Sequence, residues 1–247
     1  IVNTIPEQMI GVWLAPFTNN LRICFTTISN ENKIVFILDE MITGFRWHLK
    51  GAQYLYNLNP DISTFGKAMA NGFSVAAVCG KKKYMELGSI EKKNEERVFL
   101  LSTTHGAEMS SLGAFVQTVN FLKKKNVIKK NWSYGFKLIN RANEISNQLN
   151  ISEYFKFFGP ACSPFYICKG LDHKISFEFR TLFIQEMLKN NVLMPWVSVA
   201  YRHDNKAFKH TERALEKSLI VYKKALNNGI KSYLKGDAIK PVFRRFN

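Results

Sequence analysis

Apolar positions along the first part of the chain gather into short unbroken runs, Met9 to Leu14 and Ile34 to Leu38, the second preceded by the polar stretch Asn30, Glu31, Asn32 and Lys33. A run that is apolar at every position, rather than at alternate ones, predicts a strand covered on both faces, as in a parallel sheet packed between helices. Ser74 to Cys79, closed by Gly80, and Val98 to Leu101 are further strand candidates. The connections between them read as polar or helical, which is the pattern of an α/β layer. From Ser110 to about Leu149 the spacing turns helical, through Leu112, Phe115, Val116, Val119 and Phe121-Leu122 and then Trp132, Phe136, Ile139 and Ile145. This predicts a long helical segment linking two domains.

The pattern changes after residue 150. Tyr154 to Phe158 and Phe165 to Cys168 read as strands around the break at Gly159-Pro160. A helix is expected from Ser176, with Phe179, Leu182, Phe183 and Met187 recurring at helical spacing and Asn190-Asn191 as its stop. A last amphipathic helix carries Phe208, Leu215, Leu219, Tyr222 and Leu226, capped at its start by Asp204 and ended near Gly229. The expected layout is therefore a larger α/β part over residues 1–148, including the linking helix, and a smaller α+β domain over 149–247. There is no internal repeat and no low-complexity linker.

A length of 247 residues with 46% hydrophobic and 22% charged residues can bury a sizeable core and excludes disordered, collagenous and coiled-coil chains. No apolar run approaches the roughly 20 residues of a membrane span, and nothing resembles a secretory signal, so a soluble protein is expected. The net charge of +16 favours anionic partners. The lysines, however, fall in short runs such as Lys81-Lys82-Lys83 and Lys123-Lys124-Lys125 among helix formers, and no nucleic-acid-binding signature accompanies them. Cys24, Cys79, Cys162 and Cys168 show no metal-ligand spacing, and no disulfide framework is indicated; a reducing, cytoplasmic setting fits.

The chemistry concentrates between Ile34 and Lys67. Asp39-Glu40 follows directly on a run expected to be buried, so the Asp39 carboxylate stands at the C-terminal end of a strand, where ligands of α/β sheets bind. An unpaired buried carboxylate is costly, so either a cation or protonated ring meets Asp39, or Asp39 begins the turn through Thr43-Gly44. Lys67 lies in Ser63-Thr64-Phe65-Gly66-Lys67-Ala68-Met69-Ala70-Asn71-Gly72, among small or apolar neighbours. Desolvation there would favour the neutral amine, a nucleophile towards a carbonyl. Lysine and upstream carboxylate together are the pair that a pyridoxal 5′-phosphate site requires: one group to form the Schiff base, the other to face the pyridinium nitrogen.

The runs Asp39-Glu40-Met41-Ile42-Thr43-Gly44-Phe45-Arg46, Gly51-Ala52-Gln53 and Pro60-Asp61-Ile62-Ser63-Thr64-Phe65-Gly66-Lys67 resemble class III pyridoxal-phosphate aminotransferases, particularly the branch similar to glutamate-1-semialdehyde 2,1-aminomutase. Ser102-Thr103-Thr104-His105-Gly106-Ala107-Glu108 resembles the family segment whose threonine reaches the cofactor phosphate of the neighbouring subunit, which makes Thr103 the candidate for that contact. His203 and the helix after it resemble the family's C-terminal domain. The resemblance implies the fold of type I pyridoxal-phosphate enzymes, a homodimer with shared active sites, and transamination between a small-molecule amino donor and a carbonyl acceptor. Within it Lys67 carries the cofactor and moves the substrate proton, and Asp39 keeps the ring nitrogen protonated. Gln53 either helps position the ring or is an ordinary surface amide; Arg46 either binds a substrate carboxylate or forms an ion pair within the turn.

Two departures stand out. Ala15-Pro16 occupies the place of the family's Glu-Pro pair, and Pro195 to His203 lacks the acidic residue that the aminomutase branch carries shortly before the histidine. The second favours intermolecular transamination over intramolecular amino transfer. The family's phosphate-cradling loop and ring-stacking aromatic belong to a region that would precede residue 1, so the chain is expected to be the C-terminal portion of a longer enzyme. The alternatives are an aminomutase and a truncated, non-catalytic remnant with a basic binding surface.

Overall fold

A computed structural model describes residues 10–12, 34–89, 91, 94 and 108–240. The chain divides into two units, Ile1–Ile128 and Lys129–Asn247. No helix among the described residues is long and apolar enough to cross a membrane.

The first unit is built on a four-stranded sheet in the order β1 (Ile10–Val12), β2 (Phe36–Asp39), β3 (Ile62–Phe65), β4 (Ala77–Gly80). The first three strands are parallel and β4 runs antiparallel to β3. Phe36 and Leu38 are buried and Ile37 is partly so, which is why the run is apolar at successive positions. Between β2 and β3 lie a turn and the short helix α1 (Gly51–Leu55), and β4 leads into α2 (Lys82–Met85). The strand β3 replaces what the sequence pattern presents as a connection. Its polar Ser63 and Thr64 interrupt the hydrophobic signal, and the buried Ser63 is satisfied by donating its hydroxyl to Gln53 Oε1 at 3.3 Å. The Val98 to Leu101 candidate lies outside the described residues.

The long helical segment is two helices, α3 (Met109–Lys124) and α4 (Val127–Gln148). Asn126 separates them with a left-handed φ of 49°, a conformation that asparagine tolerates better than most residues and that no helix can run through.

In the second unit β5 (Phe155–Phe158) and β6 (Phe165–Cys168) form an antiparallel pair. α4, α5 (Phe177–Lys189) and α6 (Asn205–Asn228) supply the rest of its core. Phe155, Leu182, Phe183, Met187, Leu215, Leu219 and Tyr222 are fully buried in one cluster. Each such side chain contributes about 1.5–3 kcal/mol by leaving water. The helix limits follow the expected caps. Ser176 Oγ accepts the Phe179 N–H, Asp204 Oδ1 accepts the Ala207 N–H, and Gly229 ends α6 with φ 86°.

One edge of β5 is closed by a helix side chain. Asn143 of α4 donates from Nδ2 to the Phe157 carbonyl at 2.9 Å and accepts the Phe157 N–H at 2.8 Å, while Ser146 Oγ donates to the Phe155 carbonyl at 2.7 Å. These amide and hydroxyl groups do what a further strand would otherwise do. Arg141, on the same helix, bridges Glu212 and Glu216 of α6 and its own Glu144.

Candidate functional site

The C-terminal ends of β2 and β3 bring the two principal candidates to one edge of the first unit's sheet. Asp39 is in register with Thr64, and Lys67 follows three residues beyond that partner, at the start of a 3-10 turn, Lys67–Met69. The pairing is fixed at both ends. Asp61 Oδ2 accepts the Phe36 N–H at 2.9 Å before the strands begin, and the Glu40 N–H donates to the Thr64 carbonyl at 2.9 Å where they finish. A slip of one residue would exchange the faces of Asp39 and Glu40, and these bonds forbid it.

Asp39 is exposed rather than buried, and among the described residues no cation meets it. Its Oδ1 accepts the Met41 N–H at 2.8 Å and the Thr64 hydroxyl at 3.2 Å. Both donors converge on that oxygen, and among the described residues Oδ2 has no hydrogen bond. Lys67 is exposed too, so the expected desolvation of its amine is absent. The reason is that the sheet stops at Phe65 and the 3-10 turn carries Lys67 out beyond the packed layer. Its amine has no ion-pair or hydrogen-bond partner among the described residues. Its backbone has φ 42°, a left-handed conformation that is strained for a lysine.

The carboxylate fully buried beside Asp39 is the neighbouring Glu40, which sequence reasoning passed over. It is fully buried and accepts the Ala52 N–H and the Gln53 N–H, each at 2.8 Å, together with the Thr43 hydroxyl. The carboxylate thereby satisfies the first free N–H groups of α1 and ties that helix to the end of β2. Gly51 makes the approach feasible: its φ is 77°, and a Cβ there would fall on the Glu40 carboxylate. In this chain two adjacent acids have divided roles, one exposed with an unengaged oxygen and one buried and fully engaged. A strand's alternation, continued one residue past its end, was the available signal.

Gln53 does not join Asp39. Its side chain is engaged by Ser63, and the pleat sends Ser63 and Thr64 to opposite faces of β3, so Gln53 stands behind the sheet from the Asp39–Thr64 pair. Thr103 lies outside the described residues. Arg46 sits in the turn, its N–H donating to the Thr43 carbonyl at 3.3 Å. That turn is packed by Phe45, whose ring meets Phe65 edge-on at 5.9 Å and Phe115 of α3 at 5.8 Å. Near the start of β3, Asp61 also pairs with Lys81 at 2.9 Å. Burial raises its proton affinity, but the Phe36 N–H and the Lys81 and Lys83 ammonium groups outweigh this and hold the carboxyl below its ordinary value.

In the second unit His203 Nδ1 accepts the Ala200 N–H at 3.3 Å, and the ring lies 5.3 Å from that of Tyr134. Both line a cavity of about 410 Å³ with Trp196, Ser198, His210 and Thr211.

The chain is similar to known proteins in sequence and in fold. The family profile described as aminotransferase class-III matches residues 16–155, more than half of the chain. The chain is 30% identical over 202 residues to the 3-aminobutyryl-CoA aminotransferase of Cloacimonas acidaminovorans, covering 81% of this chain and 47% of that protein. It is 30% identical over 221 residues to the glutamate-1-semialdehyde 2,1-aminomutase of Nitrosopumilus maritimus, covering 86% and 49%. The chain thus spans about half the length of the curated relatives it matches. Its fold superposes on the FumI protein of Sphingopyxis sp. MTA144, solved in its PLP internal aldimine form, with a TM-score of 0.74 at 16% identity, covering 87% of this chain and 50% of that one. Carrying the strand-end aspartate and lysine within the matched span, on this shared fold, the chain belongs to the class-III aminotransferases.

Proposed function

We propose that the whole protein transfers an amino group between a small-molecule amino donor and a carbonyl acceptor, with pyridoxal 5′-phosphate held between Asp39 and Lys67. One observation carries the reading: a carboxylate with one oxygen unengaged among the described residues, and an amine likewise unengaged there, stand at the C-terminal ends of adjacent parallel strands. The donor set fits the cofactor, which offers a ring nitrogen that a carboxylate keeps protonated and an aldehyde that an amine takes up. The fold neighbour solved with PLP and the family membership support the same assignment. When bound, the cofactor withdraws electrons from the substrate carbon that gives up its proton.

The chain's residues would supply the rest. Asp39 holds a proton at the ring nitrogen. Lys67 anchors the cofactor through Nζ and, once released by the incoming amine, carries the substrate proton from one carbon to the other. The exposure of Lys67 leaves its amine accessible to both partners. Gln53, engaged with Ser63, supports β3 from behind rather than meeting the ring. Thr103 is assigned the cofactor phosphate of the neighbouring subunit in a homodimer. Residues 1–148 serve as the cofactor-binding large domain with its linking helix, and 149–247 as the small domain. A cytoplasmic setting accords with the cysteine usage. Intramolecular amino transfer is the second reading, favoured by the name of the Nitrosopumilus maritimus relative.

The test is a visible absorption titration with pyridoxal 5′-phosphate of the chain and of Lys67→Ala, followed by borohydride reduction and mass mapping. A lysine-dependent band and a reduced adduct on Lys67 are expected. Identical spectra for the two proteins, or an adduct elsewhere, would overturn the assignment of Lys67.

A further inference from the structure

The two donors on Asp39 have a consequence beyond holding a turn. The Met41 N–H and the Thr64 hydroxyl both reach Oδ1, at 2.8 and 3.2 Å, and leave Oδ2 without a hydrogen bond among the described residues. The Met41 contact is local, two residues along the chain, and would form in any chain that turns here. The Thr64 contact comes from a neighbouring strand 25 positions away, and depends on the Asp39–Thr64 register. An exposed aspartate has no packing to select its rotamer, so a second donor from a different element is what selects one.

We propose that Thr64 is a positioning residue: its hydroxyl holds Asp39 Oδ1 so that Oδ2 is the oxygen presented to a cationic ring. Thr64 itself touches no ligand in this arrangement; it acts through Asp39. A carboxylate that is oriented before the ligand arrives does not lose rotational freedom on binding, and the outer hydrogen bonds of ligating groups matter for that reason. Threonine suits the position twice over, because its branched side chain favours the strand and its hydroxyl supplies the donor. The ring contact rests on the pyridoxal-phosphate reading above, whereas the orientation of Asp39 does not.

The experiment therefore has two arms. In the protein without cofactor, side-chain NMR couplings of Asp39 are measured for the wild type, Thr64→Ser and Thr64→Val. A single Asp39 rotamer is expected in the first two and rotamer averaging in the third; an unchanged single rotamer in Thr64→Val overturns the proposal. In the second arm, dissociation constants for pyridoxal 5′-phosphate are measured for Thr64→Val, Asp39→Ala and the double variant. Loss of an outer hydrogen bond on a metal-ligating group weakens metal binding by about 10-fold or more, and a weakening of about 10-fold is expected here by analogy. That loss is expected with Asp39 present, to be restored by Thr64→Ser and to vanish in the Asp39→Ala background. An equal loss in both backgrounds would mean that Thr64 supports the strand alone, and would sink the idea. A wild-type chain that shows no saturable binding counts against the cofactor reading, and the rotamer measurement then decides the role of Thr64 by itself.

Discussion

Glu40 and Asp39 divide one short sequence between structure and chemistry, and substitutions should separate them. Glu40→Ala leaves two N–H groups and a hydroxyl without their acceptor in a buried place. Each buried donor left unsatisfied costs about 1–3 kcal/mol, so a loss of about 2–4 kcal/mol in urea unfolding is expected. Asp39→Ala removes an exposed group and should change stability by less than about 0.5 kcal/mol. Asp61 sets an acid limit. Its carboxyl is held below the ordinary value in the folded chain, so the stability it confers is complete above the unfolded pKa of about 4 and is lost as the pH falls through the lower, folded value. Asp61→Asn should flatten that acid limb in a pH series of urea midpoints; an unaltered limb would assign it to other carboxylates. Lys67 is strained at φ 42°. Relief of left-handed strain is worth about 1–2 kcal/mol, against about 0.5–1 kcal/mol of extra unfolded-state entropy for glycine. Lys67→Gly should therefore melt slightly above the wild type while losing the lysine-dependent absorption band. At this scale the sequence made Asp39 visible through its position after an apolar strand, and Lys67 through its small or apolar neighbours and the carboxylate upstream of it. Glu40, Thr64 and the exposure of Lys67 stayed hidden, because they depend on register and on where the sheet stops.

Two contacts hold the elements of the second unit at close range. Gly135 of α4 packs so tightly on the segment after β5 that a Cβ would fall on the Ala161 carbonyl oxygen. Backbone on both sides of that contact leaves no flexible end to yield, so Gly135→Ala should cost more than the helix propensity it gains and lower the melting temperature. The amide of Asn143 completes the edge of β5. Asn143→Leu keeps the helix and uncovers that edge, and sedimentation at increasing concentration should show self-association that the wild type lacks. Element limits were legible where a capping residue marks them: Ser176 and Asp204 start their helices through side-chain acceptors, and Gly229 ends α6 through its positive φ. The break at Asn126 and the strand β3 were not legible. The first rests on one left-handed residue within a continuous helical pattern, and the second on polar residues whose partners lie outside the strand, Gln53 for Ser63 and Asp39 for Thr64.

At the scale of the molecule, the two units have separate means of support. The second has a single aromatic and aliphatic cluster drawn from α4, β5, β6, α5 and α6. A fragment of residues 129–247 should accordingly unfold in one cooperative thermal step by near-ultraviolet circular dichroism, with Leu219→Ala lowering its stability by about 2–5 kcal/mol. A broad, non-cooperative melt would show that this cluster is insufficient. The contacts within this unit also differ in how soon they can form. Asn143 and Phe157 are 14 positions apart, whereas Tyr222 reaches the Tyr154 carbonyl across 68. Loops that short close early, so the phenylalanine-rich strand has its open side occupied while the helix that will finally cover it is still unmade. During synthesis, when an unguarded strand of this kind is most prone to pair with a neighbouring chain, one asparagine serves as its escort.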